Sequence, residues 1–261
     1  MEAVSAGYTA ADDGLDASRA EERRTRRLSP WVRLVAASLF VLVAAAASMA
    51  GLWAATSGTR SQSVIAAAEV LRVEIYVGRG NVVVHGGGLD EVKVRRTDHF
   101  AYYHSPDEVR TQEDGVLRIT SSCANLLVGS CFSDYDVTVS DNVPVIVRAP
   151  HGDIRLASYR GTAELEARDG DISVTSFCGF VLQATARNGD IDVGAGCSAD
   201  RLELRTDTGD VVARVPEGRY RVDAATSSGR TSIRGVTAAE DSPWSIQALS
   251  NAGDVSVVGV P

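Results

Sequence analysis

The sequence predicts an all-β fold, a β-solenoid behind one N-terminal transmembrane helix. Three features carry this prediction: a recurring Gly-Asp pair, alternating apolar residues on both sides of each pair, and one long uncharged segment near the N-terminus. Alternation with a period of two, on both sides of a glycine turn, indicates two short strands per repeat. Such repeats bury their inner faces only against one another, so they stack into one body.

The predicted turns recur every 18 to 24 residues, which sets the length of one coil. We expect a right-handed β-helix with about two strands per coil. The turn residues are Gly152-Asp153, Gly170-Asp171, Gly189-Asp190, Gly209-Asp210 and Gly253-Asp254, and Gly229-Arg230 fills the one gap. Glycine adopts a positive φ without steric cost. Aspartate hydrogen-bonds nearby backbone amides and so stabilises a turn.

The segment before the repeats predicts a membrane anchor. Residues 1–30 alternate alanine with charged residues and predict a disordered cytoplasmic tail. Residues 31–55 predict the transmembrane helix, since no charge occurs from Leu34 to Ala55. Arginines cluster before this span, which places the N-terminus in the cytoplasm and the C-terminal domain outside the cell. A cleaved signal peptide is the alternative, because small residues at 45–47 suit a signal peptidase.

Residues 56–68, rich in Ser, Thr and Ala, predict a short stalk, and residues 69–261 predict the extracytoplasmic solenoid. Two stretches, 97–114 and 121–135, depart from the repeat and are interpreted as inserts. The aromatic residues Phe100, Tyr102 and Tyr103 lie in the first insert and make a candidate ligand surface. The alternative is that they fold back over the open end of the array as a cap. His99 and His104, in the same insert, are expected to be exposed to solvent.

The four cysteines predict two disulfides and an oxidising compartment. Cys178 and Cys197 each lie eight residues after a repeat glycine, so stacked coils bring them to bonding distance. Cys123 and Cys131 then close a local loop. A four-cysteine zinc site is disfavoured because the C-x-x-C pairs are missing.

The same residues argue against catalysis and against a nucleic-acid partner. Every repeated aspartate has a turn role, so we expect no enzyme, no catalytic residue and no cofactor. In stacked coils the repeated aspartates lie along one edge, and the alternative is that they bind calcium there. No calcium-repeat motif occurs, and we assign no metal ligand. Residues 1–33 contain six acidic residues and six arginines, so the net formal charge of −8 belongs to the residues after Arg33, which disfavours nucleic acid.

Units such as Asn188-Gly-Asp-Ile-Asp-Val193 resemble the bacterial putative-adhesin family of domains of unknown function. The resemblance implies a β-solenoid, often behind one membrane segment, and implies no catalytic residues. The sequence therefore predicts a single-pass protein of the bacterial cell membrane that binds an unknown surface or envelope protein or glycan. The alternative is an extracytoplasmic sensor or an accessory subunit of an envelope signalling system.

Overall fold

The computed structural model of the protein describes residues 30–65, 69–87, 91–101, 105–123 and 131–261. The chain divides into two units, one ending at Ala54 and the other running from Ala55 to Pro261. Helix α1, Pro30–Thr56, is long and apolar enough to cross a membrane. The predicted tail up to residue 29 lies outside the described residues.

All other regular structure in the described ranges is β. The strands are β1 Gly58–Ile65, β2 Arg72–Val77, β3 Val82–His85, β4 Lys93–Phe100, β5 Asp107–Glu113, β6 Val116–Ser122, β7 Cys131–Thr138, β8 Val145–His151, β9 Ile154–Ala157, β10 Ala163–Asp169, β11 Ile172–Phe177, β12 Val181–Asn188, β13 Ile191–Ala195, β14 Arg201–Thr208, β15 Val211–Pro216, β16 Gly218–Ser228, β17 Thr231–Arg234, β18 Val236–Ala238, β19 Ser245–Ala252 and β20 Val255–Val260.

These strands form two sheets of ten, and each coil contributes one strand to each sheet. Within the repeats the strands pair in parallel and in register, so that Ile172 lies beside Ile154 on one side and Ile191 on the other. The alternating apolar residues point inward and are buried; the exposed fraction of Ile191 and Val211 is 0%. The predicted β-solenoid with two strands per coil is confirmed, and its handedness stays a prediction.

The coils do not stack entirely in chain order. In the first sheet the order is β1-β4-β7-β3-β9-β11-β13-β15-β20-β17, and in the second it is β18-β16-β19-β14-β12-β10-β8-β2-β6-β5. The last coil of the chain, β19 and β20, therefore lies between the coil of β14 and β15 and the coil of β16 and β17. The coil of β16 and β17 is the outermost one at that end of the stack.

The other end of the stack corrects two predictions. Residues 56–68 were expected to form a stalk, but Gly58–Ile65 is strand β1, which pairs antiparallel with β4. The predicted inserts likewise contain strands: β4 pairs antiparallel with β7, and β5 pairs antiparallel with β6. The sequence does not reveal β1 and β5, because both are edge strands without a buried side chain and therefore lack an alternating apolar pattern.

Candidate binding surfaces

The repeated aspartates form a ladder of hydrogen bonds along one edge of the stack. The backbone amide of Asp190 donates to Oδ1 of Asp171 at 2.9 Å, and the amide of Asp210 donates to Oδ1 of Asp190 at 2.8 Å. The same bond joins Asp171 to Asp153 at 3.1 Å and Asp254 to Asp210 at 2.7 Å. Each carboxylate thus binds the amide of the neighbouring coil, so the aspartates link coils in addition to occupying turns.

The ladder continues through Asn81, whose backbone amide donates to Oδ1 of Asp134 at 2.8 Å, and its other end is at Arg230. Asn81 accepts a hydrogen bond from the amide of Asp153 at 2.9 Å. At the far end, the backbone amide and the guanidinium of Arg230 each donate to Asp254 at 2.8 Å. The backbone bond first, and then the guanidinium, lower the pKa of Asp254. Because the coil of Arg230 is outermost, no further described coil needs an acceptor there, which explains why arginine replaces the repeated aspartate at position 230.

The glycines form a second column, in close contact along the same edge. A Cβ at Gly189 would lie 2.0 Å from the carbonyl oxygen of Gly170, and a Cβ at Gly209 would lie 2.2 Å from that of Gly189. Gly209 also has a positive φ of 143°, as the sequence predicted. Gly189 does not have a φ in the left-handed region, so the predicted reason is wrong at that position. There, the close approach of two backbones requires glycine.

Both predicted cysteine pairs are at disulfide distance. The Cα atoms of Cys178 and Cys197 are 5.0 Å apart, and those of Cys123 and Cys131 are 5.8 Å apart. The first disulfide joins two neighbouring coils, as the shared position after the repeat glycines predicted. Among the described residues, no group of three or more His, Cys, Asp or Glu side chains is arranged to hold a metal ion.

The predicted aromatic surface is only partly visible. Tyr102, Tyr103 and His104 lie outside the described residues. Phe100 ends strand β4, and its ring lies against Gly58, where an added Cβ would be 3.0 Å from Cζ. His99 was expected to be exposed; instead its ring stacks on Phe132 with centroids 4.4 Å apart, and its Nε2 lies 3.2 Å from Asp134.

A buried polar cluster lies at the same end of the stack, and no pattern of residues along the chain predicts it. Asp98 accepts hydrogen bonds from Arg96 Nε at 2.5 Å and from Ser133 at 2.7 Å. Glu108 accepts from the Tyr135 hydroxyl at 2.8 Å, and Arg96 Nη1 lies 3.3 Å from its carboxylate. Burial raises the pKa of Tyr135. The cluster joins β4, β5 and β7 across the end of the core and caps it with satisfied polar groups.

The outer face of the second sheet carries a shallow groove, which we call the groove face. It crosses β10, β12, β14 and β19 and has a volume of about 460 Å³. Its polar lining residues are Glu164, Glu166, Gln183, Thr185, Glu203, Arg205 and Gln247, and Leu165 and Leu204 also line it. Arg148 binds both Glu164 at 2.9 Å and Glu166 at 3.0 Å, and Gln183 donates to Glu203 at 2.8 Å.

The groove face arises from the same alternation that builds the core. Inward positions of these strands carry mostly leucine and alanine, and the central positions between them carry Glu, Gln, Thr or Arg. Parallel pairing in register then aligns Glu164, Gln183 and Glu203 in one row and Glu166, Thr185 and Arg205 in the next. This surface was not predicted, because the strands were recognised from their inward residues alone and the groove is built from the residues between them.

The chain is similar to several proteins of solved structure, at low sequence identity. No curated protein matches the chain. Among solved structures, a putative cell adhesion protein from Clostridium sporogenes is 12% identical, with a TM-score of 0.43 over 78% of this chain and 100% of that one. A putative adhesin from Bacteroides fragilis is 11% identical, with a TM-score of 0.43 over 77% and 97%. A putative lipid binding protein from Parabacteroides distasonis is 9% identical, with a TM-score of 0.35 over 77% and 97%.

The model of the Toastrack DUF4097 family matches residues 144–258, the part in which the Gly-Asp repeat is regular. This family is a domain of unknown function, as is the putative-adhesin family that the Gly-Asp repeats resemble. Residues 144–258 are therefore similar to the Toastrack DUF4097 domain, and the predicted resemblance is confirmed.

Proposed function

We propose that this chain is a single-pass membrane protein whose solenoid binds or adheres, without catalysis, on the outer side of a bacterial cell envelope. The observation that carries this proposal is the groove face, a preformed polar groove on a regular sheet. Its volume lies within the range typical of ligand sites, which is about 300–1,000 Å³.

The groove face is rigid, as a recognition surface needs to be. The strands beneath it are paired on both sides, and the inward residues Leu165 and Leu204 are each 1% exposed. The side chains above are held as well, since Arg148 binds both Glu164 and Glu166 and Gln183 donates to Glu203. A surface held in this way loses little side-chain entropy when it binds.

The same pairing argues for binding rather than catalysis. Glu164 and Glu166 both contact Arg148, and Glu203 accepts from Gln183. Carboxylates that hold a surface together in this way are poorly placed to transfer protons to a substrate. Carboxylates and amides in rows do suit a ligand rich in hydroxyl or amide groups, such as an envelope glycan or protein.

The test is capture of partners from envelope extract with the full-length chain in nanodiscs. Gln183→Arg/Thr185→Arg fills the groove with two long side chains, and Ser173→Arg/Thr175→Arg makes the same change on β11 in the other sheet. We expect wild type and the β11 variant to capture the same glycan or protein, and the groove variant to lose it.

Loss with the β11 variant alone would refute the assignment to the groove face. Capture of only a membrane protein from the same cell would favour the sensor function instead.

A further inference from the structure

We propose that the outermost coil, β16 and β17, is a second interaction surface, which binds an extended acidic segment of a partner protein as an added strand. We call it the open end. It differs from the groove face in position, charge and mode of binding, and it does not depend on the function proposed above.

The two ends of the stack are covered differently. One end carries the antiparallel strands β1, β4 and β5 and the buried polar cluster around Asp98. At the open end, β18 covers only residues 218–220 of β16. Residues 221–228 of β16 pair with β19 on one side, β17 pairs only with β20, and no other described strand flanks either. Two strands therefore present unpaired backbone amides and carbonyls, which template an added strand.

Inward side chains are also uncovered at the open end. Ile233 aligns with Val257 in register, yet Ile233 is 44% exposed and Val257 is 0% exposed. Val222 and Ala224 occupy the same columns as Ile246 and Ala248 and are only partly buried. A solenoid requires a cap over its last coil. A strand added to β16 would cover Val222 and Ala224, and a strand added to β17 would cover Ile233.

The charge of the open end indicates what kind of strand it accepts. Residues 218–234 contain four arginines and one aspartate, in a chain whose net formal charge is −8. Asp241 pairs with Arg219 and Asp254 pairs with Arg230. Arg221 and Arg234 are exposed and have no ion pair among the described residues. Arg221 lies on β16 in the second sheet and Arg234 lies on β17 in the first, so an acidic strand added to either edge would meet one unpaired cation. A basic strand would be repelled at both edges.

The test measures binding of two probe peptides to the full-length chain in nanodiscs by fluorescence anisotropy. One peptide alternates glutamate with valine over about seven residues, and the other alternates lysine with valine. We expect the acidic peptide alone to bind, and its affinity to fall as salt is raised. Hydrogen exchange with the peptide bound should slow at amides of β16 and β17 and not at β1 or β5.

Arg221→Glu/Arg234→Glu reverses the two unpaired cations and should weaken binding of the acidic peptide about tenfold or more. Arg168→Glu/Arg187→Glu is the matched control, since it changes two exposed arginines of inner coils by the same charge. Equal losses in both variants, equal binding of both peptides, or protection at β1 or β5 would overturn the proposal. A dimer seen by light scattering and broken by the first variant alone would make a second copy the occupant, and would overturn it too.

Discussion

Replacing Gly189 with alanine tests whether the glycine column is a packing requirement. A Cβ at Gly189 would lie 2.0 Å from the backbone oxygen of Gly170. That oxygen belongs to a coil held in two sheets, so it cannot move away as a flexible side chain could. Overpacking of this kind costs about 1–3 kcal/mol. Separating the two coils would also stretch the bond from the Asp190 amide to Asp171, worth about 1 kcal/mol. We therefore expect Gly189→Ala to lower the free energy of unfolding by about 2–4 kcal/mol.

Gly194 in β13 provides the control within the same coil. A Cβ there would meet only the oxygen of Val174, at 3.7 Å, which is an ordinary contact. Gly194→Ala should be neutral or should stabilise by up to about 1 kcal/mol, because glycine inside a strand carries an entropic cost. Denaturant unfolding followed by circular dichroism measures both variants. Equal stability of Gly189→Ala and Gly194→Ala would show that the coils separate easily and would refute the packing argument.

Four further predictions concern the ladder, the disulfide and the anchor. Asp190→Asn should change the free energy of unfolding by well under about 1 kcal/mol, because the amide oxygen still accepts from Asp210, whereas Asp190→Ala should cost about 1 kcal/mol in the same unfolding assay. Cys178→Ser/Cys197→Ser should cost about 2–4 kcal/mol, and non-reducing peptide mapping should find the pair joined in wild type. The pKa of Asp254 is lower in the folded state than its unfolded value of about 3.9. Its contribution to the stability of the fold is therefore present above that unfolded pKa and is lost as pH falls through the folded pKa. The Tm difference between wild type and Asp254→Asn should shrink below about pH 4. Protease added to intact cells should degrade residues after Ala55 and spare the N-terminal tail, and release of a soluble domain would show a cleaved signal instead.

The regular coils could be predicted from the sequence because each of them has the same two requirements. A buried pair of inward positions on each strand and a glycine at the turn recur at constant spacing, so Gly152 to Gly209 could be placed in adjacent coils without a structure. The cysteine pair followed from that placement. The strands of the capped end could not be predicted in the same way. Strand β1 has no buried side chain and β5 is mostly polar, so the alternation that marks a buried strand is missing from both.

The order of the coils is the other feature that spacing did not predict. Any coil with the common inward pattern fits any neighbour, since Leu202 and Val222 both align with Ile246. Spacing along the chain then carries no information about which coil is outermost. One residue did carry it: Arg230 replaces the aspartate that would serve a further coil. Without a carboxylate at position 230, this coil cannot accept a hydrogen bond from the backbone amide of a further coil.

Because of this order, the stability of the outermost coil depends on strands β19 and β20. Strands β19 and β20 pair with β14 and β15 on one side and with β16 and β17 on the other. Their inward residues Ile246, Ala248, Val255 and Val257 are almost fully buried as a result. Residues 221–228 of β16 and all of β17 pair with the rest of the stack through these two strands, which are synthesised after them. Because that coil also has one uncovered side, it gains the least from burial of all the regular coils, and an added strand would stabilise it most.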